Sequence, residues 1–260
     1  MKKAKSIFVA ASIVLALAFT TSCSGDGGGN DDTPSSSSLG GASTPSSSSE
    51  SEQNGIVYGT LHYGGKSYKT VQIGDQTWMA ENLNYDGGDG SLGICYDDNE
   101  SNCEIYGRLY YWTMAMDFDP ECYYDKCETQ AKHRGICPDG WHIPSDAEWN
   151  KLYELAEVGE CEDYGDWGRC PKAGAKLKAK SGWNEDGNGT DDFGFSALPG
   201  GSGFEGDFSL AGYIGYWWSS SEYEIGNYNV YIRDISYYNE YADWDNSNKT
   251  YLYSVRCVKD

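Results

Sequence analysis

Basic residues are scarce in this chain of 260 residues. It has 19 lysines and arginines against 40 aspartates and glutamates, which gives a formal net charge of −21. Nucleic acids and anionic lipid surfaces bind through clustered positive charge, and a protein with this excess of carboxylates repels them. We therefore expect no nucleic-acid partner, and we expect most of the carboxylates to form a solvated acidic surface.

Long hydrophobic runs are also missing. The apolar run at residues 7–19 has 13 residues, whereas a helix needs about 20 to span a bilayer. Three lysines precede the run, so residues 1–22 are predicted to be a signal peptide. The following Thr20-Thr21-Ser22-Cys23 resembles the lipobox of bacterial lipoproteins, which predicts that Cys23 becomes the lipid-bearing N-terminus. The alternative is an ordinary secretory peptide, which leaves Cys23 without lipid.

The stretch after Cys23 lacks recurring apolar residues. Residues 23–54 contain a run of glycines and two copies of Thr-Pro-Ser-Ser-Ser-Ser, a composition that cannot bury a core. We predict a disordered linker here, with a span of about 30 Å, and one domain over residues 55–260. The protein is then exported and anchored by lipid to the cell envelope, at the outer membrane surface.

Catalytic motifs are missing as well. The sequence contains no G-x-S-x-G, no H-E-x-x-H and no phosphate-binding loop. It has three histidines and no C-x₂-C pair, which disfavours a zinc site. His142, beside Ile143, is better interpreted as a packed or surface residue than as a general base. The sequence therefore predicts a protein that is not an enzyme and has no cofactor.

Cysteine, in contrast, is abundant, with nine residues, as expected for an exported protein. Assigning Cys23 to the lipid leaves eight, and eight cysteines allow 105 disulfide connectivities. The spacing favours three local pairs and one long-range pair: Cys95–Cys103, Cys122–Cys127, Cys161–Cys170 and Cys137–Cys257.

One helix has strong signals. Ser145 and Glu148 have the spacing of a capping box, and apolar residues then recur on one helical face. The sequence predicts a helix over residues 146–158, and a second, shorter helix over 171–180 that has proline in its first turn. The apolar residues of the first helix are Trp149, Leu152, Tyr153 and Ala156.

Strand signals dominate elsewhere. Residues 71–78 contain two alternating runs around Gly74-Asp75, which predicts a hairpin. Residues 82–102 are polar and rich in glycine, which predicts a loop. Four further strands are predicted at residues 216–219, 229–235, 238–244 and 253–258. Helices followed by strands indicate an α+β domain with an antiparallel sheet.

Several of these segments together resemble a known family, the Fibrobacter succinogenes major paralogous domain, which occurs on bacterial surface lipoproteins. The resemblance covers about residues 71–260. The segments are Trp78-Met79-Ala80-Glu81-Asn82-Leu83, Tyr106-Gly107-Arg108-Leu109-Tyr110, residues 137–145, residues 194–201, Trp218-Ser219-Ser220-Ser221 and Ser254-Val255-Arg256-Cys257-Val258.

The family is distantly similar to C-type-lectin-like and formylglycine-generating-enzyme-like folds. The resemblance implies an α+β, C-type-lectin-like fold with two helices, a small twisted antiparallel sheet and long disulfide-bridged loops. Enzymes of the related fold use a redox-active cysteine pair, and Cys257 lies near the comparable end of this chain. We prefer a structural disulfide between Cys257 and Cys137.

Two segments are candidate sites. The loop at residues 184–192 predicts at most a weak Ca²⁺ site, with Asx-turns as the preferred alternative. The Ca²⁺ candidates are Asp186, Asn188, Asp191 and Asp192.

The second candidate lies in the most aromatic stretch, residues 213–253, where aromatic rings can stack on sugars. The predicted ligand-binding face is Tyr237, Tyr238, Tyr241 and Trp244, and the alternative is that these rings fill the core. The sequence thus predicts a non-catalytic surface lipoprotein that recognises neutral polysaccharide or a surface protein. A formylglycine-generating-type enzyme and a structural envelope protein are the alternatives.

Overall fold

The computed structural model describes residues 51–53 and 55–260, which form fifteen strands, four α-helices and two 3₁₀ turns. The helices are α1 (Glu100–Tyr106), α2 (Trp112–Ala115), α3 (Asp146–Ala156) and α4 (Ala173–Leu177). The first eight strands are β1 (Ser51–Gln53), β2 (Ile56–Tyr63), β3 (Lys66–Ile73), β4 (Gln76–Met79), β5 (Leu109–Tyr111), β6 (Trp141–His142), β7 (Glu162–Asp163) and β8 (Gly168–Cys170). The others are β9 (Ser202–Phe204), β10 (Asp207–Ser209), β11 (Ile214–Glu222), β12 (Asn229–Ser236), β13 (Ala242–Asn248), β14 (Leu252–Ser254) and β15 (Val258–Lys259). The predicted signal peptide and Cys23 lie outside the described residues.

The first sheet has the strand order β1-β2-β3-β4-β15-β6, and all its pairs are antiparallel. Its β3–β4 hairpin confirms the predicted one, because Ile73 pairs with Gln76 across a two-residue turn. Gly74 has a φ of 61°, a value that glycine adopts without strain. Strand β1 lies within the range predicted as linker, so ordered structure begins before residue 55.

The second sheet has the order β10-β9-β14-β11-β12-β13-β8-β7, and β5 also pairs with β14. Pairing is antiparallel except between β11 and β14. Helix α3 lies against both sheets: the Trp149 ring is 4.8 Å from that of Trp78 on β4 and 6.3 Å from that of Trp217 on β11. The core therefore lies between the sheets and around α3.

Helix α3 begins as predicted. The Ser145 side chain accepts a hydrogen bond from the Glu148 backbone N–H, and the Glu148 carboxylate accepts one from the Ser145 N–H. All four apolar residues predicted for this helical face are buried. The helix ends at Ala156 rather than at 158, and α4 is shorter than the predicted helix over 171–180.

Other parts of the predicted architecture were wrong. The resemblance implied two helices and a small sheet, whereas the described residues form four helices and two sheets and are mostly β. Helix α1 begins inside the predicted loop over 82–102. The strand predicted at 238–244 is shifted to 242–248, and the strand predicted at 253–258 is divided between β14 and β15.

Four disulfides confirm the predicted pairing of the eight cysteines. The long-range bridge joins Cys137 to Cys257, which are 120 residues apart, and both are fully buried. It lies beside the pairing of β6 with β15, where His142 is opposite Val258. The bridge therefore fastens the approach to α3 to the last strand of the chain.

A buried cation connects several of the segments that resemble the family. Arg256 is fully buried, and its guanidinium donates to Asn82 Oδ1 and to the carbonyls of Phe195 and Ser196. Asn82 Oδ1 also accepts from Trp217 Nε1 at 2.9 Å. Burial lowers the pKa of Arg256 to about 9, so the side chain is still charged at neutral pH. Residues 78–83, 194–201 and 254–258 therefore meet around the buried, hydrogen-bonded guanidinium of Arg256.

His142 is buried, which is the first of the two positions, packed or surface, that the sequence allowed. Its Nδ1 lies 2.7 Å from Asp260 Oδ1 and its Nε2 lies 2.8 Å from Glu148 Oε1. Burial alone would lower the pKa of His142, but the hydrogen bonds to the two carboxylates outweigh it and raise the pKa above the ordinary value.

Among the described helices, none combines the length and the apolar character that crossing a membrane requires.

Candidate functional site

The four residues predicted to bind ligand do not form one face. Tyr237, Tyr238 and Tyr241 lie in the connection between β12 and β13, and only Trp244 lies on a strand. Trp244 packs against the core cluster that contains α3 residues. Its ring covers Gly168, where a Cβ atom would lie 2.1 Å from the indole. The sequence predicted a strand over 238–244, whereas β13 begins at Ala242, so Tyr238 and Tyr241 precede the strand.

The connection between β12 and β13 is held by a buried lysine. Lys178 Nζ donates to the carbonyls of Ser236 and Asn239, so the turn has a fixed shape. Tyr237 packs partly against the core, whereas Tyr238 is 69% exposed. The Tyr241 ring lies 4.7 Å from the Arg169 guanidinium. Of the four predicted residues, Tyr238 is the only one that is largely accessible.

A column of stacked rings crosses the second sheet on the side away from Trp244. The centroid distances are 4.6 Å from Phe204 to Tyr251, 5.7 Å from Tyr251 to Tyr253 and 4.9 Å from Tyr253 to Tyr216. The planes of neighbouring rings differ by only 13–26°. Rings stacked in this way cover each other's faces, and Tyr253 within the column is buried. A sugar that stacks on an aromatic face therefore finds free faces only at the ends of the column.

One end of the column opens into a groove of about 410 Å³, which is within the range of ligand pockets. Phe204 is the end ring and is 37% exposed, and Tyr124 is 65% exposed. Glu205 and Thr250 supply polar groups. We call this site the aromatic groove; it is lined by Tyr111, Tyr123, Tyr124, Phe204, Glu205 and Thr250.

Sequence reasoning missed the aromatic groove because its residues come from four distant segments. Tyr123 and Tyr124 stand between Cys122 and Cys127 in the sequence. The disulfide that joins these cysteines constrains a loop that carries two adjacent tyrosines. Two large aromatic residues in an otherwise polar, disulfide-closed loop were the signal that could have identified the site.

Three carboxylates lie beside the column on the same face of the sheet. Asp234 on β12 is directly opposite both Tyr216 on β11 and Asp243 on β13, and Asp245 is two residues further along. Burial, together with the charges of Asp243 and Asp245, raises the pKa of Asp234 to about 8. Burial also raises the pKa of Asp243 to about 6, against the opposing effect of Arg169. The carboxyl groups of Asp234 and Asp243 therefore remain protonated in the folded protein at pH values above about 4, where the same groups in the unfolded chain have lost their protons.

These shifts predict that stability falls as the pH rises from about 5 to about 8. A carboxylic acid with a raised pKa stabilises the fold fully below its unfolded pKa, and this contribution is lost as the pH rises through the folded value. His142, whose pKa is also raised, acts in the same direction.

Asp234→Asn should stabilise the protein by about 1–3 kcal/mol at pH 8, because one pKa unit corresponds to about 1.4 kcal/mol and the carboxylate is partly hydrated. Urea unfolding at several pH values measures both effects.

The matched control is Asp139→Asn, because the Asp139 side chain is 93% exposed. This variant should change stability by less than about 0.5 kcal/mol at every pH. A pH dependence that is the same in Asp234→Asn and in the unmodified protein would contradict the assignment.

In the predicted Ca²⁺ loop, two of the candidate ligands accept hydrogen bonds from nearby residues of the protein. Asn188 Oδ1 accepts from the Trp183 backbone N–H, and the Asp191 carboxylate accepts from the Ser196 N–H and hydroxyl. These bonds hold the segment whose carbonyls bind Arg256. Ca²⁺ binding by Asp186, Asn188, Asp191 and Asp192 remains a prediction.

Over residues 51–53 and 55–260, one group of three possible metal ligands converges. It consists of Cys95, Glu100 and Cys103. Its two sulfur atoms form a disulfide, so they are not available as thiolate ligands.

Comparison with known proteins gives one match. A family model described as the Fibrobacter succinogenes major domain matches residues 71–259, a range that runs from β3 to β15. No curated protein matches the chain, and no solved structure does.

Proposed function

The chain belongs to the Fibrobacter succinogenes major domain family, and we propose that it recognises neutral polysaccharide through the aromatic groove, without catalysis, at the cell surface. Family membership supplies no activity, since function must be argued from a site and not from a fold. The observation that carries the proposal is the free end of the aromatic column. Phe204 and Tyr124 are both accessible there in a groove of about 410 Å³.

The chemistry of the groove favours a neutral, hydroxylated ligand. Aromatic faces pack against the C–H faces of sugar rings, and tyrosine adds a hydroxyl that both donates and accepts hydrogen bonds. Glu205 accepts from sugar hydroxyls, and the groove lining contains no cationic side chain. With a net charge of −21, the protein repels anionic polymers.

The arrangement of Cys257 argues against redox catalysis at this residue. A reactive cysteine needs an accessible thiolate, whereas Cys257 is fully buried and bonded to Cys137. This geometry disfavours the formylglycine-generating-type alternative. The other alternative is a purely structural role in the cell envelope. Binding experiments distinguish it from the proposed function.

The proposed location rests on the N-terminal sequence. A basic segment, a short apolar run and Cys23 precede a serine-rich stretch, a pattern that favours a lipid-anchored protein at the outer membrane surface. Mass spectrometry of the mature N-terminus tests this point, because an unmodified N-terminus at another residue contradicts it.

Removing two rings from the groove should abolish most of the binding. We expect the double variant Tyr124→Ala/Phe204→Ala to bind insoluble neutral polysaccharides at least tenfold more weakly than the unmodified chain, because each lost stacking contact costs about 0.5–1.5 kcal/mol beyond the lost buried area. The measurement is a depletion isotherm on cellulose, xylan and mannan, with heparin as the anionic comparison. We expect no binding to heparin.

The matched control is Tyr238→Ala, because Tyr238 is 69% exposed and Tyr124 is 65% exposed, but Tyr238 lies at the β12–β13 turn. This variant should bind normally. If Tyr238→Ala loses binding and the groove variant does not, the turn residues predicted from the sequence form the site. If the unmodified chain binds none of the neutral polymers, the proposed function is wrong.

A further inference from the structure

The tip of the β11–β12 hairpin, residues 223–228, lies beside the aromatic groove. Tyr228 stands at the end of this tip and is 52% exposed. Its ring centroid lies 6.4 Å from that of Tyr124, which is one of the residues that line the groove. Tyr228 itself is outside that lining. The accessible aromatic surface therefore continues past the groove on the side of Tyr124.

One buried lysine fixes the two loops that carry these rings. Lys249 is fully buried, and its Nζ donates to the carbonyls of Cys122 and Asp125, at 3.1 and 2.8 Å. These two residues flank the tyrosines of the groove loop in the chain. The backbone N–H of Lys249 donates to the carbonyl of Tyr228 at 2.9 Å. Because the same residue holds the groove loop and the hairpin tip, the rings are positioned before a ligand arrives, which lowers the entropy cost of binding.

The orientation of the rings decides which form of polysaccharide can contact both of them. The planes of Tyr124 and Tyr228 are 73° apart, and those of Tyr123 and Tyr124 are 56° apart. More than half of Tyr124 and of Tyr228 is exposed, so each still offers ring surface to a ligand. A flat crystalline surface would need coplanar rings. A single polysaccharide chain, in contrast, can turn from one sugar unit to the next and follow rings that differ in orientation.

We propose that Tyr228 forms a further sugar subsite, and that the protein binds several consecutive units of a single, twisted chain of neutral polysaccharide. The chain lies in the aromatic groove, passes over Tyr124 and reaches Tyr228. This inference rests on the proposed function, because it extends the same site. It adds the form of the ligand, which is a separate chain longer than the groove rather than a crystalline surface or a short sugar.

The experiment is isothermal titration calorimetry of the mature protein with soluble, unbranched oligosaccharides. The probes are the disaccharides to hexasaccharides derived from cellulose, xylan and mannan. We expect at least one hexasaccharide to bind, and its affinity to exceed that of the shortest oligosaccharide that binds measurably by about tenfold. The reason is that only the longer chain contacts Tyr228 as well as the groove, and each additional contact adds to the binding free energy.

Two variants of Tyr228 test the subsite itself. Tyr228→Ala should weaken the hexasaccharide affinity by about three- to tenfold, the effect of losing one ring contact. It should leave the affinity for the shortest bound oligosaccharide unchanged, so that the dependence on chain length disappears. A general folding defect would instead weaken the binding of every length. Tyr228→Phe, which keeps the ring, should bind like the unmodified protein.

The matched control is Tyr164→Ala. Tyr164 is also 52% exposed, but it lies in the β7–β8 hairpin, where its backbone N–H donates to the Trp167 carbonyl. This variant should bind oligosaccharides of every length normally. If Tyr164→Ala weakens hexasaccharide binding as much as Tyr228→Ala does, the effect is not specific to the hairpin tip beside the groove, and the inference is wrong.

Three further results would overturn the inference. The first is an unchanged hexasaccharide affinity in Tyr228→Ala, and the second is an equal loss for short and long oligosaccharides. The third is binding to insoluble polymer without binding to any soluble hexasaccharide, which would exclude a single chain as the ligand. In each case the proposed function still stands if Tyr124→Ala/Phe204→Ala loses polymer binding. If the unmodified protein binds neither oligosaccharides nor polymers, the proposed function is wrong, and the inference falls with it.

Discussion

Replacing Asn82 with leucine should lower the free energy of unfolding by about 3–5 kcal/mol, a loss typical of removing one partner from a buried charge. The Asn82 Oδ1 atom accepts hydrogen bonds from Arg256 and from the indole of Trp217. All three residues are buried. Leucine has a similar volume but no acceptor, so the variant leaves a buried guanidinium and an indole N–H without their common partner. Urea unfolding followed by tryptophan fluorescence measures the loss.

The matched control is Asn84→Leu. Asn84 is also a buried amide, 8% exposed, and its side chain donates to the neutral Cys103 carbonyl. We expect this control to cost about 1–2 kcal/mol, the range for one neutral hydrogen bond. Asn82→Asp, which keeps an acceptor for Arg256, should be less damaging than Asn82→Leu. If Asn82→Leu costs no more than the control, the hydrogen-bonded cluster around Arg256 is not important for stability.

Removing the Cys137–Cys257 disulfide should cost about 4–5 kcal/mol in the chain-entropy model, in which the effect of a crosslink grows with the length of the closed loop. The two cysteines are 120 residues apart. The double variant Cys137→Ala/Cys257→Ala should therefore unfold at a much lower urea concentration. Single substitutions are less informative, because they leave a free thiol that can exchange with the other disulfides.

A local disulfide provides the comparison. Cys95 and Cys103 are also buried, but they are only eight residues apart, so Cys95→Ala/Cys103→Ala should cost about 2–3 kcal/mol in the same model. An equal or smaller loss in the long-range variant would contradict the view that this bridge restricts the unfolded chain.

Features that depend on neighbouring residues in the chain were predicted well. The capping box of α3 and the two-residue turn of the β3–β4 hairpin are decided within a few residues, and both were confirmed. The three local disulfides also follow from short spacing. The fourth pair, Cys137–Cys257, followed because only two cysteines were left.

Features that depend on strand pairing were predicted less well. The strand expected at 238–244 begins instead at Ala242, because Lys178, far away in the sequence, holds the carbonyls of Ser236 and Asn239 in a turn. Side chains alternate between the two faces of a sheet only for residues that belong to a strand, and Tyr237, Tyr238 and Tyr241 lie outside β13. The four residues of the predicted ligand-binding face are therefore divided between the β12–β13 turn and strand β13. Ligand binding by these residues remains a prediction.

The sequence by itself determined the family, the α+β class, the cysteine pairing, the capped helix and the acidic charge that argues against anionic ligands. Each of these follows from composition, motif or short-range spacing. Only the tertiary structure decided which aromatic rings have free faces, because stacking covers most of the column from Tyr216 to Tyr251 and leaves Phe204 at its end. The structure also placed Tyr124 in the same groove as Phe204, 80 residues away. Such contacts depend on how sheets and loops pack, which short-range sequence patterns do not specify.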